Sequence, residues 1–269
     1  MNLFQRSITE EWAIEHIKEA LDAGVVFVDR WNVKITAHDG SATLVQPQTK
    51  RRRGLAQAAE PAQPSKISIP ESFANDVSLG IIADDVAQYE SGRGDSSSKL
   101  ISTAKYVDIH AHQVLRKWVG AGKFKNFQNN VHIECNGDQI PPENYKGFDG
   151  ISIMNSPSIF GGQLVGDPQN DPQMDDGQLE IVALSTTQLS FQYLKLGALH
   201  PRGRYAQSLG QCKRVKLKVY KHEQMTVDCE PINLVPGGSP IEIDISYIEK
   251  VPMGFKKLAR PPKKSPVAQ

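Results

Sequence analysis

The sequence has few cysteines and no long apolar run. Its three cysteines, Cys135, Cys212 and Cys229, are odd in number and none shows C-x-x-C spacing. This pattern supports neither a disulfide framework nor a zinc site, so the sequence predicts a reducing, cytosolic setting. The first eight residues are unlike a signal peptide, and no apolar stretch is long enough to cross a bilayer. A soluble or peripheral protein is therefore expected.

Neither sign of charge is in excess. The chain has 31 Lys and Arg residues against 30 Asp and Glu residues, a formal net charge of +1. This balance does not indicate a nucleic-acid partner, and any contact with a membrane must come from a local patch. With 269 residues, of which 39% are hydrophobic, the chain is long enough for one large domain or two modest ones with a buried core.

The N-terminal region reads as a helix followed by strand. Apolar residues recur at helical spacing over Thr9–Ala23, and Thr9 can cap that helix. The apolar run Val25–Val28 and the alternating Val33 and Ile35 predict a strand pair or one bent strand. A helix that leads into strands in this way is expected to be the remnant of a preceding domain, here residues 1–37.

Two segments lack any sustained periodicity. Residues 38–66 are rich in Gln, Pro, Ala and Ser, which predicts a flexible linker. Its basic run Lys50–Arg53 could be a localisation signal or an anionic-lipid contact, but a solvated charge run is the simpler interpretation. Residues 256–269 predict a basic, disordered tail.

Residues 67–255 predict a mainly β domain with some helix. Val77–Ala83 reads as a strand and Lys99–Val119 as a helix, whereas Leu189–Leu199 is ambiguous. Beyond residue 130 short strands alternate with turn residues, which is typical of a twisted antiparallel β-sandwich rather than a doubly wound sheet. The predicted strands are Val131–Cys135, Gly150–Met154, Leu179–Leu184, Arg214–Tyr220, Met225–Val227 and Ile241–Ile248.

An acidic, turn-rich loop precedes the strand at Leu179. Asp171, Asp175 and Asp176 lie there with a further carboxylate, Asp167. Such carboxylates repel one another unless they are solvated or shared by a hard cation, for which Mg²⁺ is the plausible choice. The spacing is not that of an EF-hand, so an acidic surface turn is the alternative.

Asp228 and Glu230 lie two residues apart after a strand-like segment. On an extended chain they would point the same way, so they could present two carboxylates to one cleft. One could accept a proton while the other helps to hold metal-bound phosphate. A solvated strand edge would give the same pattern.

The order of the segments along the chain is more specific than any of them alone. D-R-W-N-V at 29–33, G-I-S-I-M-N-S-P-S at 150–158, M-D-D-G-Q-L-E-I-V at 174–182, A-Q at 206–207 and V-D-C-E-P at 227–231 resemble the diacylglycerol kinase accessory region. The resemblance is close from about Val131 to Ile248. The D-D-G-x-L-E-V and V-D-G-E-P patterns make it specific.

This resemblance implies a lipid kinase in which an ATP-binding α/β domain with a G-G-D-G-T loop precedes a β-sandwich domain, with the active site between them. By position, Asp228 is similar to the general base that deprotonates the diacylglycerol hydroxyl, and Glu230 to a carboxylate near the metal-bound nucleotide. Asp175 and Asp176, with Asp171, resemble the acidic loop that holds a structural Mg²⁺ in related lipid kinases. Phosphoryl transfer asks mainly for positioning and charge neutralisation, which such an arrangement supplies.

The implied function is ATP-dependent phosphorylation of diacylglycerol to phosphatidic acid by a cytoplasmic, peripherally membrane-associated kinase. Its partners would be a membrane lipid surface and the missing catalytic domain. No G-G-D-G-T stretch is present, so the chain is expected to be inactive alone. Cys229 replaces the family's glycine and would be strained if that position has a positive φ. A non-enzymatic lipid-associated module and a fragment of a sphingosine or ceramide kinase are the alternatives.

Overall fold

Strands dominate the part of the chain that the structure describes. The computed structural model describes residues 24–44, 71–91, 99–119, 122, 124, 126–156, 158–159, 163–164, 173–186 and 206–255. The chain divides into a large compact unit, residues 29–249, and a smaller one formed by residues 1–28 and 250–269. All contacts of the candidate site lie within the large unit.

Fifteen strands are described: β1 Gly24–Thr36, β2 Ser41–Leu44, β3 Ser72–Phe73, β4 Asp76–Gly80, β5 Val131–Cys135, β6 Asp138–Ile140, β7 Gly150–Met154, β8 Ser158–Ile159, β9 Gln163–Leu164, β10 Leu179–Leu184, β11 Ala206–Cys212, β12 Arg214–Val219, β13 Glu223–Val227, β14 Glu230–Val235 and β15 Ile241–Phe255. The described helices are α1 Ile81–Ser91, α2 Lys99–Trp118 and α3 Phe127–Asn130, with a 3₁₀ turn at Pro142–Tyr145.

The strands form two large sheets and one small hairpin. One sheet has the order β3-β1-β15-β12-β5-β6, the other β11-β10-β7-β4-β13-β14-β2, and β8 pairs with β9. In the seven-stranded sheet, antiparallel registers such as Val77↔Ile153 and Leu79↔Met225 place apolar side chains of neighbouring strands side by side. The prediction of a mainly β fold with antiparallel sheets is confirmed.

Both large sheets contribute side chains to one hydrophobic core. Along β12, Val215, Leu217 and Val219 are buried while the residues between them are exposed or half-buried, as the two-residue period of a strand requires. All six residues of β10 are buried. The core therefore includes the centre of the seven-stranded sheet as well as one face of the six-stranded sheet.

Helix α1 lies against β4, β13 and β14, and buried polar contacts join it to α2. His110 Nδ1 lies 2.7 Å from Oδ2 of Asp85, and its Nε2 lies 3.1 Å from the carbonyl oxygen of Thr186. Gln113 Nε2 donates to Asp84 Oδ2. These side chains are buried, and hydrogen bonding offsets part of the cost of removing them from water.

Three of the predicted strands, β5, β7 and β10, have the predicted bounds, and α2 confirms the predicted helix. Residues 24–36 form one continuous strand. The predictions for the helix Thr9–Ala23, the stretch Leu189–Leu199 and the tail 256–269 concern residues outside the described part.

Ser41–Leu44, within the predicted flexible linker of residues 38–66, forms β2. This polar segment gains its order from backbone pairing with β14, for example Leu44 opposite Ile232. Strand β11 was also missed because its pattern is not alternating. Gly210, with φ 131°, lies where the register against β10 shifts between Ile181 and Val182.

The predicted strand Val77–Ala83 is wrong beyond Gly80, because helix α1 begins at Ile81. Gly80 has φ 82°, and a Cβ atom there would lie 2.4 Å from the carbonyl oxygen of Asp149. The Ile81 amide donates to that same oxygen at 3.1 Å. A short run of buried apolar residues does not distinguish a strand end from a helix start, so periodicity could not locate this boundary.

Cys135 and Cys212 form a disulfide, so the prediction that the cysteines are unpaired is wrong. Their Cα atoms are 5.5 Å apart and 77 positions apart in sequence. Cys135 ends β5 in one large sheet and Cys212 ends β11 in the other, so the bond joins the two sheets. The pairing of β5 with β12, which places Cys135 opposite Val215, brings Cys135 close to Cys212, three residues before Val215 in the chain. Closing so long a loop restricts the unfolded chain and stabilises the fold by roughly 4 kcal/mol.

Candidate functional site

The hairpin between β13 and β14 carries the proposed catalytic residues. Val227 pairs with Glu230, so Asp228 and Cys229 form a two-residue loop. Their φ angles are 47° and 68°. Two positive φ values are the signature of a type I′ turn, for which Asp-Gly is a favoured sequence because glycine has no Cβ to clash. Position 229 thus has the positive φ that the sequence analysis considered, and its cysteine is strained there.

The Asp228 carboxylate is held by the turn that connects β3 to β4. The Ala74 amide donates to Oδ2 at 3.0 Å, and the amides of Asn75 and Asp76 donate to Oδ1 at 2.9 and 3.2 Å. The Asp228 amide in turn donates to the Asp76 carbonyl at 2.9 Å. A carboxylate offers about four lone-pair sites, so three backbone donors fix its orientation and leave capacity for one further proton.

Glu230 is exposed at the start of β14. The prediction that Asp228 and Glu230 point the same way from an extended chain is wrong, because Asp228 lies in a tight turn and its carboxylate accepts hydrogen bonds from residues 74–76. Burial raises the pKa of the Cys229 thiol, and the nearby charges of Asp76, Asp228 and Glu230 raise it further. The Cys229 thiol therefore stays protonated near neutral pH and is a poor nucleophile.

Asp76 is a site residue that the sequence analysis missed. Its Oδ2 accepts a hydrogen bond from the Ser78 hydroxyl at 2.7 Å. Burial raises the pKa of the Asp76 carboxyl, the Ser78 hydrogen bond lowers it, and the nearby Asp228 charge raises it further. The only sequence feature that marks Asp76 is its position directly before the apolar residues of β4.

Asp29 holds the acidic loop in place from strand β1. Its amide donates to the Met174 carbonyl at 2.8 Å, and its Oδ2 accepts the Gly177 amide at 2.6 Å. Gly177 has φ 70°, so it takes a left-handed conformation that suits glycine. The D-R-W segment and the M-D-D-G segment, far apart in sequence, are thus in direct contact.

Asn155, directly after β7, links this contact to the turn that holds the Asp228 hairpin. Its Oδ1 accepts the Trp31 indole N–H, and its Nδ2 donates to the carbonyls of Asp29 and Ala74, each at 2.9 Å. Its own amide donates to the Asn75 carbonyl at 2.8 Å. Asn155 and Trp31 are both buried.

The predicted metal ligands are only partly described. Asp171 lies outside the described residues, while Asp175 and Asp176 are exposed. Asp176 Oδ1 accepts the Gln178 amide at 2.9 Å, a local turn contact. Among the described residues no group of three or more His, Cys, Asp or Glu side chains could hold a metal ion. The Mg²⁺ site stays a prediction.

The described part of the chain is a β-rich domain with mainly antiparallel sheets. Its acidic hairpin lies at one site with the segments around Asp29, Asn155, Gly177 and Asp228. The sequence model of the diacylglycerol kinase accessory domain matches residues 72–231, more than half of the chain. The chain belongs to the diacylglycerol kinase accessory domain family. In the described ranges, no helix is long and apolar enough to cross a membrane.

Relatives match most of the chain but are much longer than it. Human diacylglycerol kinase iota is 25% identical over 235 residues, which is 85% of this chain and 20% of that protein. The eye-specific diacylglycerol kinase of Drosophila melanogaster is 25% identical over 228 residues, 82% of this chain and 14% of that protein. The chain therefore spans a fifth or less of these two relatives.

Among solved structures, a diacylglycerol kinase from Bacillus anthracis aligns with 89% of this chain and 58% of its own, at 12% identity and a TM-score of 0.40. Yeast NADH kinase aligns with 92% of this chain and 49% of its own, at 11% identity and a TM-score of 0.39. Similarity at this level carries no argument about function.

Proposed function

We propose that this chain supplies the accessory part of an ATP-dependent diacylglycerol kinase, whose product is phosphatidic acid. The main support is the convergence of family segments that are distant in sequence. Asp29, Asn155, the turn at residues 74–76, the loop at Gly177 and the Asp228 hairpin form one hydrogen-bonded site. A nucleotide-binding domain with a glycine-rich phosphate loop is the partner that completes the enzyme.

In this proposal Asp228 is the general base. Its three backbone donors hold the carboxylate in one orientation, and its remaining lone-pair capacity accepts the proton of the diacylglycerol hydroxyl as the bond to phosphorus forms. Glu230 lies on the same hairpin and is exposed, and it is proposed to be a carboxylate near the metal-bound nucleotide. The acidic loop of Asp171, Asp175 and Asp176 is proposed to bind a structural Mg²⁺, which would neutralise the charge of the loop. No step of the phosphoryl transfer is assigned to that ion.

The proposed architecture is a β-sandwich of the lipid-kinase type, in which residues 1–37 are a remnant of the α/β kinase domain whose strand β1 pairs into the six-stranded sheet. The proposed setting is the cytoplasmic face of a membrane, where the substrate lipid lies. The Cys135–Cys212 disulfide weighs against a strongly reducing setting, because such bonds are rare in the cytosol.

A non-enzymatic regulatory module is the second candidate. It is favoured by Cys229, which occupies a positive-φ position where the resembled family has glycine. In this alternative the hairpin has kept its fold, and the Asp228 carboxylate serves only to anchor residues 74–76.

The direct test recombines the chain with the nucleotide-binding domain of a relative such as human diacylglycerol kinase iota. Phosphatidic acid is measured from ATP and diacylglycerol in mixed vesicles. We expect no product from either part alone and measurable product from the mixture. As a control, the relative's own two parts are recombined in the same way. If that control is active while the mixture with this chain is not, the non-enzymatic alternative holds. If the mixture phosphorylates sphingosine or ceramide in preference to diacylglycerol, the proposed substrate is contradicted.

A further inference from the structure

Both polar atoms of the Asn155 side chain are hydrogen-bonded, and their three partners lie on two segments of the site, strand β1 and the turn after β3. The Trp31 indole N–H is a donor only, and the Asp29 and Ala74 carbonyls are acceptors only. The amide oxygen must therefore face Trp31 and the amide nitrogen must face the two carbonyls, at 2.9 Å in each case. A side chain fixed at three points and 2% exposed has no alternative rotamer available.

The contacts of Asn155 form a continuous path between two parts of the site. On one side, Asn155 binds the Asp29 carbonyl, and the Asp29 carboxylate holds the Gly177 amide. On the other side, Asn155 binds the Ala74 carbonyl, and the Ala74 amide donates to Asp228. Asn155 is thus hydrogen-bonded both to the residue that holds the acidic loop and to the turn that holds the Asp228 carboxylate.

We infer that Asn155 is a positioning residue that fixes the acidic loop and the Asp228 carboxylate in one arrangement. The catalytic meaning of that arrangement rests on the proposed function, but the coupling itself does not. A catalytic group needs supporting residues whose own rotamers are locked by packing and hydrogen bonds, and Asn155 has both. Trp31, buried and in edge contact with Tyr247 at 5.6 Å between ring centroids, fixes Asn155 in turn.

Amide hydrogen exchange of the chain tests the inference without requiring activity. In Asn155→Ala, we expect the protection of the Ala74, Asn75, Asp76 and Gly177 amides to fall about tenfold or more relative to the β12 amides, because two site segments lose their common anchor. The matched control is Tyr145→Phe, which removes another buried hydrogen bond, from the Tyr145 hydroxyl to the Val131 carbonyl at 3.0 Å. The control should not lower protection selectively at the site.

A uniform loss of protection in Asn155→Ala, equal at the site and in β12, would show a general structural role and overturn the inference. If Asn155→Ala does not fold, the same comparison is made with Trp31→Phe, which removes the donor to Asn155 together with the five-membered ring of the indole and keeps an aromatic side chain. In the recombined kinase, Asn155→Ala should lower turnover about tenfold while KM for ATP changes less than about twofold. If the wild-type mixture is inactive, the proposed function fails while the exchange result still decides the role of Asn155.

Discussion

Asp228 and Cys229 together form the loop of the β13–β14 hairpin, and both have positive φ angles, 47° and 68°. Aspartate is one of the residues that tolerate this region, and here its carboxylate is also fixed by long-range hydrogen bonds from the amides of residues 74–76. Cysteine has no such compensation, and its Cβ clashes with the backbone at a cost of roughly 1–2 kcal/mol. The hairpin that carries the proposed base is therefore strained at its second loop residue.

Replacing that cysteine with glycine should stabilise the chain. We expect Cys229→Gly to raise the free energy of unfolding by about 0.5–1 kcal/mol, after allowing for the greater unfolded-state entropy of glycine. Urea unfolding measures the change. Cys229→Ala is the matched control, because it removes the thiol but keeps the Cβ and should give no comparable gain. If Cys229→Gly and Cys229→Ala have the same free energy of unfolding, backbone strain at Cys229 is contradicted.

The disulfide between the two sheets predicts the thiol count and the effect of reduction. The unreduced, denatured chain should show one reactive thiol, that of Cys229, because Cys135 and Cys212 are joined. Reduction should lower the free energy of unfolding by roughly 4 kcal/mol, because a loop of this length is no longer closed. Cys229→Ser should respond to reduction as the wild type does. Three reactive thiols before reduction would contradict the bond.

Magnesium should stabilise the chain weakly if the acidic loop binds it. Millimolar Mg²⁺ should raise the thermal midpoint of the wild type, because a ligand of the native state shifts the equilibrium by mass action. Asp175→Asn should lose this shift, and NaCl at equal ionic strength provides the control for general screening. The same midpoint with and without Mg²⁺, in wild type and variant, would identify a solvated acidic turn.

Burial makes the stability contribution of Asp85 depend on pH. Burial raises the pKa of the Asp85 carboxyl, although the hydrogen bond and charge of His110 act in the opposite direction. A folded-state pKa above the unfolded value of about 3.9 means that the contribution is complete below that pH and is lost as pH rises through the folded pKa. The free energy of unfolding of wild type relative to Asp85→Asn should therefore fall as pH is raised from about 4 to 7.

The opposite pH dependence of stability is expected for the exposed pair of Arg214 and Asp244. This pair serves as the control for the Asp85 measurements. The Arg214 hydrogen bond lowers the pKa of the Asp244 carboxyl. Its contribution is therefore present above the unfolded pKa and lost as pH falls through the folded pKa. Relative to Asp244→Asn, the wild type should gain stability as pH rises from about 2 to 4, and high salt should weaken this gain. If the free energies of unfolding of wild type and Asp85→Asn change with pH in parallel, the raised pKa of the buried Asp85 carboxyl is contradicted.

The sequence predicts the strands with regular alternation and the segments that form the site. Strands β5 and β12 follow a period of two, and residues 174–182 and 227–231 carry recognisable patterns. It does not predict how these segments meet. The Asp228 turn, the Gly80 boundary and the Cys135–Cys212 bond depend on contacts between residues that are far apart in sequence. Asp76 and Asn155 acquire their roles only from those contacts.

The most direct test of the account is turnover of the recombined kinase with Asp228→Asn. The variant keeps the shape of the side chain and removes the base, so turnover should fall by at least about 10²-fold while nucleotide binding changes little. Glu230→Gln, on the same hairpin but exposed, is the matched control and should lose less. Unfolding of each variant is measured in parallel, because Asp228 also anchors residues 74–76. The account predicts a large loss in Asp228→Asn with the fold intact; near-normal turnover in that variant would contradict it.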